Sequence, residues 1–298
     1  MTLVVALAVD ERREAALHLG AMIARTSEEH LVVCTVVPQP WVPSMARVDA
    51  EYRAHLDEVA QKALDEARES MPSDLSATYA RQHARSVPAG LVEAAREHDA
   101  QAVVLGPSSA GAVGRVVLGS VTDRMVHRSP VPVVLAARGF RCGPTSRVTR
   151  LTVAYGADEG ADELVVPAAA FAARVGVPVR LATFVVRTPT VVAAGVGSRA
   201  ESEVTAEWVR GVEVARTDTL ARVGDLGLDS PPGAVIGHGR DWDEALADVE
   251  WDDGDLLVVG SSAVGPVARV FLGSRAAKIL RSSPVPVLVV PRAEPGGH

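Results

Sequence analysis

Apolar positions along this chain follow two spacings. Residues 3–9, 31–37, 102–105, 151–155, 179–186, 256–259 and 285–290 are short, almost unbroken aliphatic runs, the signature of strands buried on both faces. Between them lie longer stretches in which apolar and charged residues alternate with helical spacing, at 13–25, 50–70, 88–97, 120–127, 165–175, 201–222, 242–249 and 275–280. Weaker strands are expected at 77–83, 131–136 and 234–237. Strand and helix therefore alternate from end to end, which predicts βαβ units around parallel sheets.

The alternation occurs twice. Residues 103–135 align with 257–289 without gaps, and 15 of these 33 pairs are identical, among them Gly106/Gly260, Gly119/Gly273 and Ser120/Ser274. A unit this long is a duplicated domain rather than a solenoid repeat. The expected domains are residues 1–140 and 147–293, joined through 137–150, where Arg, Gly, Cys and Pro interrupt the apolar pattern. Pro132 and Pro286 fall inside the last expected strand of each half. A strand residue without an N–H is tolerated at a sheet edge, so both strands are expected to be edges, where the halves can meet.

Composition removes several classes of function. The 298 residues carry 30 Lys+Arg against 37 Asp+Glu, a formal charge of −7, and 48% are hydrophobic, so the chain forms a core and lacks the basic stripe that duplex binding requires. No apolar run approaches the roughly 20 residues of a membrane span, and the first residues lack a basic leader before Asp10 and Glu11. A cytoplasmic protein without nucleic-acid or membrane partners is expected. Cys34 and Cys142 are too few for a disulfide framework and are expected as free thiols. The only lysines are Lys62 and Lys278, followed by Ala63 and Ile279. A Walker A loop, which needs Lys before Ser or Thr, is therefore excluded.

The candidate chemistry lies where strand 102–105 runs into Gly106, a 12-residue loop, and Gly119-Ser120 at a helix start. The first N–H groups of a helix lack internal partners and the helix dipole favours negative charge there, so this arrangement suits an anion. The same residues also satisfy ordinary turn geometry with Ser120 as an N-cap. Arg115 and Arg269, aligned in the repeat, are candidates either to clamp a phosphate or to pair with a nearby acid.

Strand, Gly106, two residues, Ser109, nine residues, Gly119-Ser120, helix and then Ser129-Pro-Val-Pro-Val resembles the C-terminal half of a universal stress protein domain, and it occurs twice. Residues 4–10, ending in Asp10 before a helix, are similar to the start of that domain. The resemblance covers nearly the whole chain and extends to the tandem arrangement found in actinobacteria. It implies two tandem Rossmann-like α/β domains of the adenine nucleotide alpha hydrolase-like type, each with a five-stranded parallel sheet of order 3-2-1-4-5, and a nucleotide bound at the switch point. The implied ligand is ATP, with Mg as an open question. Carried over by residue, the first copy supplies Asp10, Val36, Gly106, Ser109, Gly119 and Ser120, and the second Val185, Gly260, Ala263, Gly273 and Ser274. Two departures matter. The middle Gly of the family loop is Ser109 in one copy and Ala263 in the other, and the strand-end Asp of the first copy is Gly156 in the second, with Asp158 displaced. The first copy is therefore the better nucleotide site.

Other patterns carry less. Gly195-Val-Gly197-Ser-Arg-Ala200 matches a dinucleotide fingerprint but lacks the strand directly before it. Trp251-Asp252-Asp253-Gly254-Asp255 lacks the spacing of a calcium loop and reads as a polar turn. No zinc or serine-hydrolase motif occurs, and His238 reads as a loop residue. The expected function is an adenine-nucleotide-binding stress sensor or regulator without dedicated catalytic machinery, hydrolysing ATP slowly at most. The alternative is a nucleotide-independent interaction module with degenerate loops. The resemblance further implies an intrachain pseudo-dimer through 131–136 and 285–290, with pairing of whole chains left open.

Overall fold

The computed structural model describes residues 2–10, 13–39, 46–108, 113–116, 118–156, 161–186, 197–263, 270–271 and 273–291. They form two compact units, Met1–Val148 together with Gly260–His298, and Thr149–Val259.

In the first unit the strands are β1 (Thr2–Ala6), β2 (His30–Pro38), β3 (Ala77–Ala84), β4 (Ala100–Leu105) and β5 (Val133–Leu135). They pair in parallel in the order β3-β2-β1-β4-β5. Helices α1 (Arg13–Ser27), α2 (Ala46–Ser70), α3 (Val87–Glu97) and α4 (Ser120–Arg128) connect them. The central strands are buried because they are aliphatic throughout, with Val4, Val5, Val103 and Val104 inaccessible. Helix α1 lays Leu19 and Met22 on this sheet, and Gly20 permits the approach, since a Cβ there would lie 2.6 Å from Val5 Cγ2. Each such large side chain contributes about 1.5–3 kcal/mol of burial. Helix α3 opens on Ser86, whose hydroxyl accepts from the Ala89 N–H at 3.4 Å, with Pro88 in the first turn.

The second unit repeats the plan with β6 (Arg150–Ala154), α5 (Ala161–Val175), β7 (Val179–Val186), α6 (Gly197–Gly224), β8 (Gly233–Gly239), α7 (Trp242–Ala247) and β9 (Asp255–Gly260). Its strands are parallel in the order β9-β6-β7-β8. The chain then adds a short antiparallel ribbon, β10 (Ser262–Ala263) and β11 (Val270–Phe271), followed by α8 (Ser274–Ser282) and β12 (Val287–Val290). These last elements pack within the first unit, where β12 pairs antiparallel with β5, Val287 opposite Leu135.

Four expectations change. Pro132 and Pro286 precede β5 and β12 instead of lying inside them, and the Pro132 carbonyl accepts from the Val103 N–H at 2.9 Å. With β4 on one side and β12 on the other, β5 is an interior strand and not an edge. The Ser-Pro-Val-Pro run is a turn in both copies: the Ser129 hydroxyl donates to the Val131 carbonyl at 2.7 Å, and Ser283 to Val285 at 2.8 Å. Finally, β8 continues through His238 to Gly239, because the glycines flanking the histidine admit α7. A Cβ on Gly237 would lie 2.1 Å from the Ala245 carbonyl oxygen, and one on Gly239 2.3 Å from the Ala245 nitrogen. His238 is a strand residue whose N–H donates to the Asp248 carboxylate at 2.8 Å.

Both cysteines are free thiols. Cys34, in the middle of β2, is inaccessible, and burial, with a smaller contribution from the Glu97 charge, pushes its thiol up from 9.0 to about 12. Below pH 9 folded and unfolded chains both hold this proton. Above it the unfolded chain releases the proton first, so stability falls by about 1.4 kcal/mol per pH unit until the folded thiol also ionises. Urea unfolding at pH 8, 9 and 10 is expected to show this alkaline loss in the native chain and a shallower slope in Cys34→Ala. Equal slopes would refute the assignment.

Candidate functional site

Where β1 is flanked by β2 and β4, successive crossovers leave in opposite directions and a crevice opens at the carboxyl ends of the strands. A cleft of about 390 Å3 lies there, within the usual size of a small-molecule site. Five separate segments line it, among them Val87 and Leu91 of α3. The end of β1 contributes residues 6–10, β2 contributes Thr35, Val36 and Pro38, the end of β4 contributes Leu105 to Ser108, and the start of α4 contributes Gly119 to Thr122.

Each wall follows from its local sequence. Past β1 the chain stays extended for one more residue, the Leu7 N–H donating to the Cys34 carbonyl at 2.8 Å, and then turns to expose Asp10. The Asp10 carbonyl accepts from the Arg13 N–H at 3.2 Å, which starts α1. Val36 sits against α3 at Gly90, where a Cβ would lie 2.7 Å from Val36 Cγ1. That glycine brings α3 close enough for Val87 and Leu91 to complete an apolar wall.

The loop after β4 closes on itself. Gly119 is the N-cap of α4 at φ −87° and ψ 175°, and it makes no side-chain cap. A Cβ at Gly119 would lie 2.9 Å from Ser108 Cβ and 3.0 Å from its Oγ, so a residue with no side chain is required for the two ends of the loop to meet. Ser120 is the exposed first helical residue, not the cap. The first intrahelical bond runs from the Asp123 N–H to the Gly119 carbonyl at 2.8 Å. The N–H groups of Ser120, Val121 and Thr122 therefore precede the helical ladder, and these three residues line the cleft.

Arg115 reaches the end of another helix. Its guanidinium donates to the Ser282 carbonyl at the C-terminal end of α8, where a positive charge complements the helix dipole and satisfies a terminal carbonyl. Around it, the Gly114 N–H donates to the Arg138 carbonyl at 2.8 Å and the Arg138 N–H to the Arg115 carbonyl at 3.0 Å. Gly114 adopts φ +79°, a conformation suited to glycine.

The cleft thus brings together Asp10, Val36, Gly106, Gly119 and Ser120. Ser109 lies outside the described residues. Of the second-copy candidates, Val185 is buried in β7 of the second unit, whereas Gly260, Ala263, Gly273 and Ser274 belong to the first unit's C-terminal segment. Gly273 is the N-cap of α8 without a side-chain cap, and the Ala277 N–H donates to its carbonyl at 2.9 Å, as at α4. Of the fingerprint at 195–200, the first two residues lie outside the described residues, and the other four open α6 at Gly197. The acidic turn is not a metal loop. Asp255 is wholly buried, and Arg150 holds it through Nε at 2.8 Å and Nη2 at 2.6 Å. Among the described residues no three His, Cys, Asp or Glu side chains are placed to hold a metal ion.

Sequence reasoning missed Ser108, Thr122, Thr35 and the apolar residues Pro38, Val87 and Leu91. Ser108 carried a usable signal, since Ser262 repeats it in the second copy. The apolar wall carried none, because its residues resemble those of any core.

The model of the universal stress protein family matches residues 1–137 and again 148–291. Universal stress protein Rv2319c of Mycobacterium tuberculosis is 39% identical over 295 residues, covering 98% of this chain and all of that one. A universal stress protein of Mycolicibacterium smegmatis is 28% identical, over 93% of this chain and 90% of the other. Among solved structures, a universal stress protein from Archaeoglobus fulgidus superposes with a TM-score of 0.61 at 20% identity, covering 98% of each chain. No helix among the described residues is long and apolar enough to cross a membrane.

Proposed function

The chain belongs to the universal stress protein family, in tandem form, and from that premise we propose that its first half binds an adenine nucleotide and acts as a stress-responsive sensor or regulator. The observation that carries this reading is the convergence of Asp10, Val36, Gly106, Gly119 and Ser120 on one cleft at the switch point of the sheet. These residues come from four distant segments, and their types match the parts of a nucleotide. The apolar wall at Val36 and Leu91 suits a base, Asp10 accepts hydrogen bonds from base or ribose, and the N–H groups entering α4 suit phosphate. A divalent cation accompanying the nucleotide would be held by the nucleotide's own phosphates. The second copy, with Gly156 and Ala263 at the corresponding places, is the weaker site. The reading assigns no turnover chemistry. The antiparallel pairing of β5 with β12 supports joining of the two repeats through their last strands.

Isothermal titration of the nucleotide-stripped chain with adenine nucleotides, in the presence and absence of Mg2+, tests the proposal. Saturable binding near one per chain is expected, weakened about tenfold or more by Asp10→Ala and less by Ser120→Ala, where backbone N–H groups remain. An absence of binding at millimolar nucleotide would sink this reading and favour the interaction module.

A further inference from the structure

Charge is unevenly distributed along this chain. Residues 149–259 carry 9 Arg against 19 Asp+Glu, whereas residues 100–148 and 260–298 together carry 11 Lys+Arg against only Asp123 and Glu294. The formal charge of −7 is therefore the difference between an acidic second unit and a strongly basic part of the first.

The basic part has a surface. In α4 Thr122, Met125 and Val126 are buried, and Arg124 and Arg128 are exposed four residues apart. In α8 Ile279 and Leu280 are buried, and Arg275, Lys278 and Arg281 are exposed at intervals of three. These spacings place each set on one side of its helix. Arg124 and Lys278 occupy corresponding positions of the repeat. The two helices are neighbours: Arg115, ahead of α4, donates to the Ser282 carbonyl at the end of α8, and β11, which precedes α8, packs against α4. Asp123, the one acid of either helix, stands 3.6 Å from His127 Nε2. Among the described residues the side chains of Arg124, Arg128, Lys278 and Arg281 make no hydrogen bond or ion pair. Arg128 and Arg281 complement the C-terminal ends of their helices. Arg124 and Lys278 sit in the middle, where the dipole offers nothing, and Arg124 repels Arg128 one turn away.

The complementary surface is in the second unit. Residues 241–255 hold eight acids and no Lys or Arg. Asp252 and Asp255 pair with Arg150, Glu244 with Arg240, and Asp248 faces His238. Glu250 and Asp253, in the turn between α7 and β9, are exposed. Their carboxylates make no hydrogen bond or ion pair among the described residues, although Glu250 feels the charges of Arg150 and Arg180.

We propose that the exposed cations of α4 and α8 form a docking face for the acidic surface around Glu250 and Asp253 of a second copy of this chain. Opposite charges on the two surfaces steer the encounter and fix its register. Contact relieves the repulsion within each surface, which solvent only screens. A nucleic-acid duplex is the poorer occupant, because the excess of acids in the second unit repels its phosphates.

The test is sedimentation velocity of the full chain over a range of concentrations, at about 10 mM and about 1 M salt, where charges act over about 30 and 3 Å. Concentration-dependent association is expected at low salt, with an association constant about tenfold or more lower at high salt. Arg124→Glu with Lys278→Glu should weaken the low-salt association about tenfold or more, and so should Glu250→Lys with Asp253→Lys. Mixing these two variants sets each altered surface against its complement and should restore association. A native chain that stays monomeric at low salt, association indifferent to salt, or a basic-face variant that associates like the native chain would each overturn the proposal. So would a mixture that fails to associate although both variants keep the native unfolding midpoint. If the acidic-surface pair lowers that midpoint, Asp253→Lys alone takes its place. A native chain that binds a DNA duplex at low salt without self-associating would give the face to another polyanion, which also overturns the proposal. None of these outcomes bears on the nucleotide cleft.

Discussion

Replacing Asp255 by alanine is expected to destabilise the second unit by about 3–5 kcal/mol, the cost of breaking a buried ion pair from one side. Asp255 opens β9 and is wholly buried. Its carboxylate accepts two hydrogen bonds from Arg150, at 2.8 and 2.6 Å, and one from the Asp252 N–H at 3.0 Å. Arg180 stands 3.5 Å from the same carboxylate, over the Trp251 ring at 5.2 Å. The hydrogen bond to Asp255 holds the Arg150 guanidinium above its usual range, while burial, and then the Arg150 charge, pull Arg180 below it. Without the carboxylate, two guanidinium groups face each other, one of them with only 12% of its side chain exposed. Trp208, Trp242 and Trp251 lie in this unit and only Trp41 elsewhere, so urea unfolding followed by tryptophan fluorescence reports it. A loss below about 1 kcal/mol would mean that the pair behaves as a surface salt bridge. Asp255→Asn, which keeps the shape, should lose nearly as much.

The largest effect on ligand binding is expected from Gly119→Ala. A methyl group there meets Ser108 Cβ at 2.9 Å, and because Cβ is fixed to the backbone no rotamer relieves the contact. The ends of the loop must separate, at about 1–3 kcal/mol of overpacking, and the N–H groups of α4 move relative to Gly106. Nucleotide affinity should fall about tenfold or more, since sub-ångström misplacement of a binding group is costly. The double variant Gly119→Ala with Ser108→Gly removes the opposing Cβ and should recover most of that affinity. Unchanged affinity in the single variant, or no recovery in the double, would show that the contact between loop ends does not shape the cleft. Gly114→Ala is the contrast: it strains a positive φ but meets nothing within 4 Å, so it should cost stability without altering the ligand preference.

Much of this architecture was legible because periodicity is a local property. The aliphatic runs mark β1, β2, β4, β6, β7, β9 and β12, weaker patterns mark β3, β5 and β8, and the repeat singles out Gly119 and Ser120. What could not be read is non-local. Arg115 finds its partner 167 residues away, and nothing in the loop sequence distinguishes a phosphate clamp from a helix-end contact. Asp255 looks like one acid in a polar turn until β6 and β7 bring Arg150 and Arg180 beside it. The prolines misled because their position relative to the strand, shifted by the serine turn, decides whether a missing N–H matters. The ribbon β10-β11, two residues on each side, is too short to leave a periodic signal.

The antiparallel seam between β5 and β12 has a consequence for biosynthesis. Residues 133–135 emerge from the ribosome more than 150 residues before 287–289, which complete the pairing. At about 5–20 residues per second this leaves the outer side of β5 open for roughly 8–30 s. During that interval a short Val-Val-Leu strand presents unpaired backbone to any other nascent chain. Its brevity, three residues behind a proline that cannot donate, limits what can attach there until the chain's own last strand arrives.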